Sequence, residues 1–286
     1  MNKLTKKRMQ ELLKNDKYPR SAKYDPAWVL KGWMGPNVLW LTEWLCEKMD
    51  LKPGMRVLDM GCGKALSSIF LAKEFGVQVW ANDLWVSAAE NWERIKEAGM
   101  ENQVYPIHAE AHALPYAEGF FDAIVSMDSY QYYGTDDLYL SYFHKFLKPG
   151  GQIGIVVPGL AQEIKGKVPE HLNATRVNGS TFWVDECWCF HTTEWWQRHW
   201  EKMTVITGVK TDYMPEAVKD WVQYERACDE AGTLMFPSEA DILEEDGGRY
   251  MALLRVTGRR TEEATQQMGD KVLKGSVYDG EISPDL

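Results

Sequence analysis

The run Val57-Leu58-Asp59-Met60-Gly61-Cys62-Gly63 constrains this chain more than any other stretch. A short apolar segment ends in an acidic residue and two glycines spaced by one. Lys64 to Ala72 then carries apolar residues at helical spacing. The pattern reads as strand, tight turn and helix, the opening of a nucleotide-binding α/β unit. Both glycines serve one physical need. The turn must bend sharply, and its backbone must approach a ligand with no Cβ in the way.

Val77 to Ala81 reads as a second strand and ends at Asn82-Asp83, with Asp83 20 residues after Gly63. An acidic residue at that distance is placed to accept hydrogen bonds from a ribose diol. The third glycine of a dinucleotide fingerprint is missing, because the sixth position counted from Gly61 is Leu66. Lys64 follows its glycine at the wrong spacing for a phosphate loop, and Ala65 stands where Ser or Thr belongs. A ligand with a ribose and no phosphate therefore fits better than a dinucleotide or ATP.

Further along, the strand and helix signals alternate. They predict strands at 56–60, 77–82, near 103–108, 121–127 and 152–157, with helices at 65–75, 86–98 and 136–146. Buried strands alternating with helices make an α/β fold with a doubly wound, mostly parallel sheet. Residues 1–50 read as a helical cap, with a polar helix at 3–16 and a helical stretch at 26–49 broken near Gly35-Pro36. After Pro158 the rhythm fails. Two insertions, at about 159–200 and 213–247, would sit at the carboxyl end of the sheet as a lid. Helices are expected at 192–202 and 215–232, and strands near 204–210 and at 250–256. The main domain is read as 51–260, and 261–286 as a polar tail.

Composition narrows the partners. The chain has 286 residues, 45% hydrophobic and 26% charged, with a formal net charge of −10 and a pI near 5.2. That acidity argues against a nucleic-acid partner, which needs a basic face. No apolar run is long enough to cross a bilayer, and the basic N-terminus leads into no signal core, so a cytoplasmic protein is expected. The five cysteines show no CxxC spacing, and no metal site is expected. The 13 tryptophans and 13 tyrosines cluster, which suits an aromatic acceptor pocket as well as core packing.

With these residues in order, the chain resembles the class I S-adenosylmethionine-dependent methyltransferase family, of the small-molecule type. Asp59-x-Gly61-x-Gly63 matches the first family motif, with Ala65 at the usual third glycine. Asp83 matches the acidic end of strand two. Ala109 to Pro115 followed by Gly119-Phe120-Phe121-Asp122 resembles a further motif, with Glu110 in place of Asp. Leu147-Lys148-Pro149-Gly150-Gly151 resembles the turn before strand five. The resemblance covers roughly 50–160 and implies a Rossmann-like methyltransferase fold with S-adenosylmethionine as cofactor. It implies that Gly61 and Gly63 approach the methionine part and that Asp83 holds the ribose hydroxyls. Leu84 would pack on adenine, Glu110 would accept from its amino group, and the Ala111 amide would face a ring nitrogen. Asp59 would orient the turn or the cofactor's ammonium.

In-line methyl transfer needs alignment and exclusion of water more than a nucleophilic residue. The tip of strand four, Met127 to Gly134, should face the reactive methyl. Asp128 is a candidate for binding the cofactor amine or for taking a proton. Tyr130, Tyr132 and Tyr133 are candidates for walling the acceptor, with Trp33 and Trp195 beside them. His191 is a candidate for acid–base work from the lid. The expected reaction moves a methyl group to a small-molecule acceptor, an amine or hydroxyl. Alternatives are a lipid-modifying enzyme like the cyclopropane fatty-acid synthases, or a non-catalytic S-adenosylmethionine-binding protein. A homodimer is left open.

Overall fold

The computed structural model describes residues 4–262. The strands are β1 (Arg56–Met60), β2 (Gln78–Asp83), β3 (Val104–His108), β4 (Phe121–Met127), β5 (Leu147–Leu160), β6 (Ile206–Tyr213) and β7 (Met251–Arg260). They form a sheet in the order β3-β2-β1-β4-β5-β7-β6. The first five run parallel, and β7 runs antiparallel to both β5 and β6. The order reverses between β2 and β4, on either side of β1. A crevice therefore opens over the carboxyl end of β1, where ligands bind in such sheets.

Strand residues alternate between two cores. Val57, Ala123, Val125 and Val156 join one cluster, and Leu58, Ile124, Ile155 and Val157 join the other. With both faces covered by helices, the strands are apolar almost throughout, as a parallel sheet requires.

The helices are α1 (Lys6–Leu12), α2 (Pro26–Lys31), α3 (Val38–Cys46), α4 (Leu66–Phe75), α5 (Ala88–Glu97), α6 (Gln131–Gly134), α7 (Tyr139–Phe143), α8 (Glu170–Asn173), α9 (Thr193–Glu201), α10 (Ala217–Ala231) and α11 (Ala240–Asp246). Local chemistry sets their starts. Asp25 caps α2 with Pro26 in its first turn, and Ser87 with Glu90 forms a capping box on α5.

Several elements differ from the sequence expectation. The helical stretch at 26–49 is broken around Gly35-Pro36 as expected, into α2 and α3, but the irregular segment between them extends over 32–37. The single helix expected at 136–146 is the shorter α7 followed by a 3-10 turn at His144–Phe146, with α6 ahead of it. Asp136 accepts from the Leu138 amide at 2.7 Å, and this turn interrupts the run. The Pro149-Gly150-Gly151 turn lies inside β5. Helix α11 was not foreseen, and β7 runs on to Arg260. Of the tail expected at 261–286, all but Thr261 and Glu262 lies outside the described residues.

The N-terminal segment is tied to the second insertion through Asp220 on α10, which is buried. Its carboxylate accepts from Lys17 Nζ at 2.7 Å, Tyr18 Oη at 3.0 Å and Asn15 Nδ2 at 3.0 Å. Removing the carboxylate strands three donors, and a hydrogen bond to a charged group contributes about 1.5–3 kcal/mol. Asp220→Ala should lower unfolding free energy by about 2–4 kcal/mol in a urea titration. A loss under about 0.5 kcal/mol would show that the segment is held elsewhere.

Candidate active site

The turn after β1 is left-handed at three positions: Gly61 (φ +72°), Gly63 (φ +52°) and Ala65 (φ +60°). A Cβ on Gly61 would lie 1.9 Å from Ser129 Oγ, and one on Gly63 would lie 2.9 Å from Met34 Sδ. Glycine is therefore required by space as well as by φ. Ala65 holds the conformation that the family's third glycine would adopt, at a strain of about 1–2 kcal/mol.

Two carboxylates brace this turn. Asp59 is fully buried beneath it. Its Oδ2 accepts from the hydroxyls of Ser67 and Ser68, both at 2.6 Å, which fastens the first turn of α4 to β1. Burial pushes the Asp59 carboxyl up to about 6, against the two hydroxyls that hold it down. Asp83, at the end of β2, accepts from the Gly63 amide at 2.7 Å through Oδ2. Its Oδ1 accepts from the Trp85 and Val86 amides, both at 2.8 Å.

Above the turn lies a cleft of about 320 Å³. It brings together Gly61, Gly63, Asp83, Leu84, Glu110 and Ala111 with Asp128, Tyr132 and Tyr133. The Glu110 carboxylate accepts from the His112 amide at 2.8 Å and pairs with His112 Nδ1 at 2.7 Å, which holds it below the usual carboxylate range. Tyr133 Oη lies 3.2 Å from Ser129 Oγ. Tyr132 is half exposed and tilts against Trp85 at the rim. Asp59 does not line the cleft, so its link to a ligand runs through the turn.

Residues not singled out from the sequence complete the walls. Gly32, Met34 and Pro36, from the segment between α2 and α3, and Val38 at the start of α3 lie across the glycine turn, and Tyr224 reaches in from α10. Lys64 Nζ donates to the carbonyls of Lys31 and Trp33, both at 3.1 Å, and so fixes that segment over the cleft. The Gly35-Pro36 break was the one sequence signal for it.

Four candidates do not reach the cleft. Tyr130 is fully buried and packs against Tyr139, Phe143, Trp196 and Trp200. A continuing strand would have put Asp128 and Tyr130 on one face. Asp128 instead turns left-handed (φ +53°), and the chain enters α6. Trp33 is buried beside the cleft, its Nε1 donating to Glu225 Oε1 at 2.9 Å. His191 and Trp195 belong to a stack at α9, where the Trp195 ring lies 3.7 Å from His191 and 4.4 Å from His199. Residues of the first insertion line a separate polar hollow of about 530 Å³ past the end of β5, with Glu163, Lys165, Lys167 and Arg198 in its wall. That hollow contains no part of the glycine turn.

Asp128 sits half-buried in the cleft, its Oδ1 accepting from Gln131 Nε2 at 3.1 Å. Desolvation pushes its carboxyl up to about 7. Glu239, at the start of α11, is pushed up to about 8 by desolvation and by the charges of Glu225 and Asp128. Between pH 6.5 and 8 the folded protein therefore holds protons that the unfolded chain has released, and stability falls as pH rises. His144, His191 and His199 are shifted down by burial, and their opposite effect fades above pH 6.5 as the unfolded imidazoles lose their protons. The unliganded thermal midpoint should drop from pH 6.5 to 8, and Glu239→Gln should flatten the slope. A midpoint that rises over this range contradicts the assignment.

Asp83 also carries apo stability, because three amides lose their acceptor when it is removed. The bonds observed predict that Asp83→Ala lowers unfolding free energy by about 2–3 kcal/mol. The same variant should weaken S-adenosylhomocysteine binding at least tenfold in calorimetry. Unaltered affinity would reduce Asp83 to a strand-end brace.

Comparison with known proteins agrees with this geometry. Residues 57–151 match the family model described as "Methyltransferase domain". Methyltransferase GfsG of Streptomyces halstedii is 31% identical over 134 residues, 46% of this chain and 48% of that protein. Phosphoethanolamine N-methyltransferase 1 of Arabidopsis thaliana is 32% identical over 123 residues, 43% of this chain and 25% of that protein. The chain thus spans about half the length of the first of these curated relatives and a quarter of the second. Among solved structures, Haemonchus contortus phosphoethanolamine N-methyltransferase 2, bound to phosphomonomethylethanolamine and S-adenosylhomocysteine, superposes with a TM-score of 0.65 at 19% identity. That match covers 88% of this chain and 60% of that one. The [4+2]-cyclase SpnF matches with a TM-score of 0.58 at 18% identity, covering 80% and 84%. These two likenesses are of fold. Residues 57–151 thus form a methyltransferase domain, within which the glycine turn and Asp83 lie.

Proposed function

We propose that this protein transfers a methyl group from S-adenosylmethionine to a small-molecule acceptor, an amine or a hydroxyl. One observation carries the reading. A single cleft joins the glycine turn and Asp83, which fit a nucleoside, to Asp128 at the tip of β4. The fit rests on the turn itself: it is left-handed at 61 and 63, where a Cβ would collide with Ser129 or Met34, so glycine keeps the backbone of the cleft wall bare. When bound, S-adenosylmethionine supplies an electrophilic methyl on a sulfonium.

The chain's own residues then divide the work. Asp83 accepts from the ribose hydroxyls, Leu84 covers the base, and Glu110 with the Ala111 amide meets its polar edge. Met34, Pro36 and Val38 keep water from the cleft, which favours alignment and charge transfer. Asp128, with its carboxyl near 7, is matched to taking a proton from an acceptor at neutral pH. Tyr132 and Tyr133 wall the acceptor. The reading also holds that no nucleic acid is bound, given the net charge of −10, that the protein is cytoplasmic, and that a homodimer is a matter for ultracentrifugation. No helix among the described residues is long and apolar enough to cross a membrane.

The test is methyl transfer from isotope-labelled S-adenosylmethionine to a panel of small amines and alcohols. S-adenosylhomocysteine should form only with an accepted compound. Asp128→Asn should lower turnover at least tenfold while cofactor affinity stays within threefold. Cofactor binding with no transfer to any member of the panel would favour a non-catalytic binding protein.

A further inference from the structure

One lysine lines the cleft, and it has no counter-ion. Lys64 follows Gly63 in the turn after β1. Among the described residues it is the one Lys or Arg in the cleft wall, which also carries the acids Asp83, Glu110 and Asp128. A lysine ammonium has three N–H donors. Lys64 spends two of them on neutral acceptors, the carbonyls of Lys31 and Trp33, both at 3.1 Å. Among the described residues no carboxylate stands within ion-pair reach of it. Burial holds its ammonium below the usual lysine range. Lys148 shows the ordinary arrangement. It and Lys64 are the two part-buried lysines among the described residues, and Lys148 pairs with Asp122. A part-buried charge without a partner costs free energy unless a ligand supplies one.

The turn beside Lys64 offers an anion little else. The Gly61 and Cys62 amides donate to the Asn82 carbonyl at 2.8 and 3.0 Å, and the Ala65 amide donates to the Cys62 carbonyl at 2.9 Å. The Gly63 amide is taken by Asp83. Ser129 Oγ, packed against Gly61, donates to Tyr133 Oη. His112, elsewhere in the wall, is engaged by Glu110. The third N–H of Lys64 is thus a charged donor left over in a wall whose other polar groups are largely spent.

S-adenosylmethionine brings one carboxylate, on its amino-acid tail. With the ribose on Asp83 and the base against Leu84, that tail is the part of the ligand still to be placed in the cleft. We infer that Lys64 binds the cofactor's carboxylate through its third N–H, while its other two stay on the carbonyls of Lys31 and Trp33. The contact is a charge-assisted hydrogen bond, and it supplies the missing counter-ion. One ammonium then ties the ligand to the segment that covers it, so the cofactor is held by its tail as well as by its nucleoside. This inference rests on the methyltransferase reading of the same cleft and assigns it a further binding residue.

The probes are S-adenosylhomocysteine and S-adenosyl-3-thiopropylamine, the same thioether without the carboxylate. Each is titrated by calorimetry into the full-length protein. The wild type should bind S-adenosylhomocysteine at least tenfold more tightly. In Lys64→Met that preference should fall below threefold. The ratio is the readout, because a loosened segment at 32–37 would weaken both compounds alike and leave the ratio unchanged. Lys64→Gln keeps N–H donors for the two carbonyls and removes the charge, and it should lose the preference as Lys64→Met does. Circular dichroism checks the fold of both variants. No preference in the wild type, or a preference that survives the substitutions, overturns the inference. A wild-type protein that binds neither compound, and not 5′-methylthioadenosine either, overturns the reading of the cleft itself.

Discussion

The hydrogen bond from the Gly63 amide to the Asp83 carboxylate organises this molecule. It joins the turn after β1 to the end of β2, the two strand ends that frame the crevice. The same carboxylate gathers the Trp85 and Val86 amides, and Asp59 grips Ser67 and Ser68 on the opposite side of the turn. A backbone that is left-handed at 61, 63 and 65 is intrinsically unfavourable for Ala65 and costly in entropy for the glycines. The two carboxylates over-determine it. The turn is therefore presented open and rigid, and Asp83 stands both in its support and in the cleft wall.

What surrounds that turn gives the cleft its character. The segment between α2 and α3 crosses the glycine turn and is held by Lys64. Helix α10 brings Tyr224 to the cleft and Glu225 behind Trp33. One end of the cleft thus carries the glycine turn with Asp83 and Glu110, and the other carries Asp128 with Tyr132 and Tyr133.

Much of this was legible in the sequence where local chemistry dictates structure. Strands at 56–60 and 121–127 stand as the apolar runs foretold, and Asp83 ends β2 as its spacing from Gly63 implied. Gly61, Gly63, Leu84, Glu110, Ala111, Asp128, Tyr132 and Tyr133 do meet in one cleft. Tyr130 was misplaced because period-two reasoning fails once Asp128 adopts positive φ, a conformation with no one-letter signature outside glycine. His191 and Trp195 were misplaced because an aromatic-rich insertion reads alike whether it faces a ligand or packs on itself. Residues 32–38 were missed as cleft wall, since their role depends on Lys64, distant in sequence and unmarked by any motif.

The central claim is that the cofactor is held at the carboxyl ends of β1, β2 and β4, beneath the segment between α2 and α3. Amide hydrogen exchange with and without S-adenosylhomocysteine tests it most directly, because it reports position without an acceptor. Protection should appear at 32–38, 61–65, 83–86 and 110–112, and the polar hollow at 161–169 should exchange unchanged. Protection confined to 161–169 and the start of α9, with the glycine turn unaffected, would contradict the account.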